Sequence, residues 1–113
     1  MITDAINELR RNNGKPHIYT IDSVECYNCL LHCLHMARIC GLEHSPEHFR
    51  QGKAEAIAKC NYIYNNARDI IRYMVLNLLA NSPGHKNILI SYSHYAYYFY
   101  VNNYQAYLTV RAW

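Results

Sequence analysis

No run of apolar residues approaches the roughly 18 that would mark a membrane-spanning helix, so no transmembrane segment is expected. Clustered basic charge is also missing. The 11 Lys and Arg stand against 8 Asp and Glu for a net charge of +3, and Arg10-Arg11 is the single adjacent basic pair. A phosphate-binding face needs such a cluster, so nucleic acid is not implied as a partner. The first eleven residues lack a continuous apolar core and carry Asp4 and Glu8, which excludes a signal peptide reading of Met1 to Arg11. Charged residues are few, 17% against 51% hydrophobic, and that balance excludes a disordered tail. An even number of cysteines is lacking too. Cys26, Cys29, Cys33, Cys40 and Cys60 cannot all pair within one chain. The first four fall on one expected helix, where an i,i+3 spacing suits a disulfide poorly, so reduced thiols are expected.

What is present reads as one domain over residues 1–113, long enough to bury a core of its own. Ile2, Ala5, Ile6 and Leu9 recur at helical spacing and stop at Asn12-Asn13-Gly14. Asp22-Ser23-Val24-Glu25 has capping-box spacing and opens a second helix, striped by Cys26, Cys29, Cys33, Met36, Ala37 and Cys40, with Gly41 as its left-handed cap. Leu42 to Gly52, with Pro46, His44 and His48, reads as a loop, and Ala54 to Ile63 as a strand. Ala67 to Leu79 carries a broad apolar face behind Asn66 and is expected to stop at Asn81-Ser82-Pro83-Gly84. Tyr92 to Val101 and Tyr104 to Trp113 read as two antiparallel strands joined at Asn102-Asn103. The expected class is α+β: a small, mainly antiparallel sheet flanked by helices.

The segment Asn81-Ser82-Pro83-Gly84-His85-Lys86-Asn87-Ile88-Leu89 resembles the Ser-Pro-Gly-His segment of bacterial SCP-like members of the CAP superfamily. Further pieces match in order: Asn7 with Arg10, Met36-Ala37, Gly41 through His44-Ser45, and Gly52-Lys53-Ala54-Glu55-Ala56-Ile57-Ala58. The resemblance covers nearly the whole chain. It implies a compact α-β-α sandwich, a secreted or cell-envelope location, and a central cleft lined by His44, Glu55 and His85. The location it implies conflicts with the odd thiol set and with the lack of a visible signal peptide in this chain, so either the protein stays inside the cell or a leader precedes these residues. Departures from the family pattern are Leu79 for a tryptophan, Ala56 for an asparagine, and no acid between Ile70 and Gly84.

Two imidazoles and a carboxylate make a partial ligand set for a divalent metal such as zinc. The same groups would serve a metal-dependent hydrolase, with Glu55 as general base and the histidines as ligands, although no nucleophile or oxyanion device accompanies them. The alternative is that His85 and Glu55 bond loop backbone and one another. Three readings follow. The first is a non-enzymatic CAP-type module whose His/Glu cleft takes a metal, a small ligand or a partner. The second is the hydrolase. The third is a protein-interaction module using Tyr95, Tyr97, Tyr98 and Tyr100 of the hairpin, because tyrosine offers flat apolar area with a polar tip. The cysteine stripe is expected to fill core. His32 and His35 lie off that stripe and are expected to face solvent, while His17, His48 and His94 have no evident companions.

Overall fold

The computed structural model describes residues 1–18, 20–46, 52–62 and 66–113. Helix α1 (Ile2–Asn12) buries Ala5, Ile6, Leu9 and Arg10. The two-residue strand β1 (Thr20–Ile21) leads into α2 (Ser23–Ile39), which Asp22 caps by accepting the Glu25 N–H at 2.9 Å. Strand β2 (Ala54–Asn61) precedes α3 (Ala67–Tyr73), capped by Asn66 and continued as a π-helical stretch over Met74–Leu79. A short helix α4 (Pro83–Ser91) then leads to the hairpin β3 (His94–Asn102) and β4 (Gln105–Ala112).

The sheet order is β1-β3-β4-β2, with β1 parallel to β3 and the other pairs antiparallel. Helices cover both faces, giving the α+β sandwich expected from the sequence. One face packs Ala56, Ala58, Ala106, Leu108, Val110 and Ala112 against α1, α3 with its π-helical stretch, and α4. The other packs Ile57 and Tyr107 under Cys33, Met36 and Ala37 of α2. Strand β4 is therefore central and buried on both faces, and its polar alternates Thr109 and Arg111 are as inaccessible as its apolar ones.

Four local expectations are corrected. The helix through Leu79 does stop before Pro83, but Pro83, instead of opening a loop, then starts a further helix, α4, at its first position, where a missing N–H leaves nothing unsatisfied, and Gly84 lies within that helix. The hairpin turn is Asn103-Tyr104, both at positive φ, because Asn102 still pairs with Gln105 in the ladder. Strand β2 ends at Asn61, and Ile63 and His48 lie outside the described residues. The left-handed cap of α2 is Cys40 at φ 52°, with the Gly41 N–H reaching back to the Met36 carbonyl at 3.1 Å. The motif needs its left-handed residue one position before the glycine, so a side chain is held where glycine is preferred. Cys40→Gly is expected to raise stability by about 1 kcal/mol, read as a higher urea midpoint at unchanged slope. A fall in midpoint would contradict this account of the cap.

Candidate functional site

Glu55 and Arg111 face each other across β2 and β4, so their side chains leave the sheet on the same side, beneath the start of α2. Arg111 is fully buried and Glu55 is 3% exposed. The Arg111 Nε donates to Glu55 Oε2 at 3.1 Å, Nη1 donates to Glu25 Oε1 at 2.6 Å, and Nη2 donates to Ser45 Oγ at 2.7 Å. Ser45 closes the loop, with its Oγ donating to Glu55 Oε2 at 2.7 Å and its backbone N–H to Oε1 at 2.9 Å. His44 Nδ1 donates to Oε1 at 2.9 Å, and Lys53 Nζ lies 3.8 Å from Glu25 Oε2. One arginine thus clasps α2, the segment after it and two strands through charge-assisted bonds.

Burial works to raise the Glu55 carboxyl, but the bonds from Ser45 and His44 outweigh it and hold the group below the ordinary carboxylate value. Burial likewise works to lower Arg111, and the bond to Glu25 together with the Glu55 charge reverses this. Glu55 is therefore a fixed anion, poorly suited to take up a proton at neutral pH.

Contrary to the sequence expectation, His32 is not on the surface. It is 6% exposed, with Nε2 donating to the Glu43 carbonyl at 2.5 Å and 4.0 Å from Glu55 Oε1. The helical stripe misled because the chain after α2 folds back over this turn, covering a position that the helix alone would expose. His35 stacks on the His32 ring and bonds the Glu43 carboxylate at 3.2 Å while remaining partly exposed. Burial pulls His32 below its ordinary value of 6.5, outweighing the Glu55 charge. A lowered folded value means that the native state takes up a proton less readily than the unfolded chain. The stability His32 contributes is present above pH 6.5 and drains as pH falls below it, with a slope of up to about 1.4 kcal/mol per pH unit. Urea midpoints are expected to drop from pH 7.5 to 5.5 in the native sequence, and to drop less in a folded His32→Gln variant. Parallel curves would remove His32 as the cause.

Of the cleft residues expected from the resemblance, His44 and Glu55 meet. His85 lies elsewhere, half-buried in the first turn of α4 within the opposite helix layer, and makes no hydrogen bond or ion pair with any described residue. Among the described residues, no group of three or more His, Cys, Asp or Glu side chains is disposed to hold a metal ion. A pocket of about 500 Å³ opens beside the clasp between α2 and the segment after it, walled by Asn28, Leu31, His32, His35, Glu43 and Ser45.

The tyrosine surface is corrected as well. Strand alternation sends Tyr95 and Tyr97 to one face and Tyr98 and Tyr100 to the other. Tyr95 is fully buried, Tyr97 is half-buried with its hydroxyl bonded to Thr3 Oγ1, Tyr100 packs against the α2 cluster, and only Tyr98 of the four is exposed. The five thiols are all unpaired, as expected. Cys29 and Cys33 are core residues, and burial pushes the Cys33 thiol up to about 11, which makes it unreactive.

Arg111, Glu25 and Ser45 were not singled out from the sequence as site residues. The available signal was Arg111 itself, a charge in the run Tyr107-Leu108-Thr109-Val110-Arg111-Ala112, since a buried charge requires partners.

The fold is shared with a known protein. The structure superposes on an outer surface protein from Borrelia burgdorferi with a TM-score of 0.70, at 17% identity over 98% of this chain and 87% of that one. No protein-family model matches the chain, and no curated protein matches it. Among the described residues, no helix is long and apolar enough to cross a membrane.

Proposed function

We propose that this chain is a non-catalytic binding module of CAP type, acting at the cell envelope, whose buried Glu55 is structural and whose ligand site is the pocket beside it. The observation that carries this reading is the saturation of Glu55. Four donors, from Arg111, Ser45 twice and His44, converge on its two oxygens. A general base or a metal ligand needs a lone pair free for water or the ion, and withdrawing Glu55 would leave Arg111 half unpaired in the core.

The pocket has the features of a site for a small polar ligand. His35 and Glu43 supply hydrogen-bonding groups at its rim and Leu31 an apolar wall, while His32 and Ser45 tie its floor to the clasp. The envelope location rests on the CAP resemblance and on the structural neighbour's being, by its title, an outer surface protein. The hairpin reading loses most of its surface with Tyr95 and Tyr97 turned inward, and nothing else favours it.

Amide NMR spectra, recorded first with zinc and then with a library of small polar fragments, test this reading. Fragment-induced shifts are expected to cluster at Asn28, Leu31, His35 and Glu43, with no stoichiometric zinc site at His44 and His85. Tight one-to-one zinc binding that disappears in a folded His44→Ala/His85→Ala variant would reinstate the metal centre and sink the structural role of Glu55.

A further inference from the structure

We propose that a second pocket, over Arg10, binds a small oxyanion, a carboxylate or a phosphate. Arg10 is 4% exposed, yet every partner it has among the described residues is neutral. Nε donates to the Pro16 carbonyl at 2.7 Å, and Nη1 donates to the carbonyls of Leu89 at 3.1 Å and Tyr92 at 3.0 Å and to the Tyr95 hydroxyl at 2.8 Å. Buried Arg111 differs, for it has Glu25 and Glu55, and even the partly exposed Arg72 has Glu8. A buried cation without an acid is costly to maintain.

Its remaining nitrogen shows where an anion belongs. Nη2 makes no hydrogen bond to a described residue, and no described buried side-chain nitrogen or oxygen lacks a partner. Nη2 is therefore not sealed from solvent. Arg10 itself lines a pocket of about 420 Å³ between the end of α1 and the α4–β3 connection. That lining contains no Asp or Glu. It adds a second cation, Lys15, held beside Arg10 by the bond from its N–H to the Arg10 carbonyl at 2.8 Å, and a wall formed by Trp113. The Trp113 carbonyl is occupied by the His94 N–H at 3.0 Å. With Nη1 committed to two carbonyls and the Tyr95 hydroxyl, an incoming oxygen accepts from Nη2 and pairs with the Lys15 ammonium, a site matched to one carboxylate or phosphate group. The pocket shares no residue with the Glu55 clasp.

The test is titration of the full chain with inorganic phosphate and, separately, with acetate at fixed ionic strength, followed by amide and indole NMR signals. Saturating shifts are expected at Lys15, Ser91, Ser93 and Trp113 with at least one of the two anions. Lys15→Glu is expected to weaken binding about tenfold, whereas Arg68→Glu, an equal change of charge on α3, leaves it unaltered. Shifts that do not saturate with either anion, or equal weakening by the two variants, would overturn the proposal, since the attraction would then be one of net charge alone.

Discussion

Arg111→Met is expected to cost about 3–5 kcal/mol, a large part of the roughly 5–15 kcal/mol that holds a domain of this size together. The loss comes less from the bonds removed than from what they leave behind. Glu25 and Glu55 would keep their positions under α2 with no guanidinium between them, and Ser45 Oγ would lose a donor. The measurement is urea unfolding followed by circular dichroism at neutral pH. Adding Glu25→Gln and Glu55→Gln to the same chain is expected to recover part of the loss, because the unpaired charges go with their partner. A single variant within about 1 kcal/mol of the native chain would show the clasp to be energetically idle and would remove the main support for a structural Glu55.

Arg10→Met should lose about 3 kcal/mol, through a different mechanism. Here the side chain serves as the cap that α4 does not supply for itself: the Leu89 and Tyr92 carbonyls are bonded by Arg10, and those of Ile88 and Leu89 by the Tyr95 hydroxyl. A positive charge at that end also complements the helix dipole. Tyr95→Phe removes only the hydroxyl and is expected to cost about 1–2 kcal/mol. Hydrogen exchange distinguishes this from general loosening. Amides of the last turn of α4 should lose protection first in both variants, and a uniform loss across the sheet would show that Arg10 does not act as a cap.

Much of this architecture was legible in the residues. The apolar stripes of α1 and α3, the Asp22 and Asn66 caps and the hairpin all follow from periodicity and local chemistry. The failures share a cause, which is tertiary burial of residues that look polar in one dimension. Tyr107, Thr109 and Arg111 carry polar groups, and the presence of α2 above them makes them core. Glu25 was legible as half of a capping box, yet its carboxylate turns to Arg111 instead of back to Asp22. His32 is covered by chain that lies eleven residues onward at Glu43. At the site, the meeting of His44 and Glu55 was expected only from the family resemblance, whereas the displacement of His85 into another layer depends on how α4 is laid down, which no spacing encodes.

The central place of β4 has a consequence for biosynthesis. β4 follows every other described element in the chain, yet β2 and β3 are joined only through it. A ribosome therefore releases α2, β2 and the π-helical stretch before the strand that unites them exists, and until Arg111 emerges Glu25 and Glu55 have no reason to leave water. The nascent chain is expected to remain open until β4 has emerged and then close in a single step, with its acidic pair solvated throughout the wait.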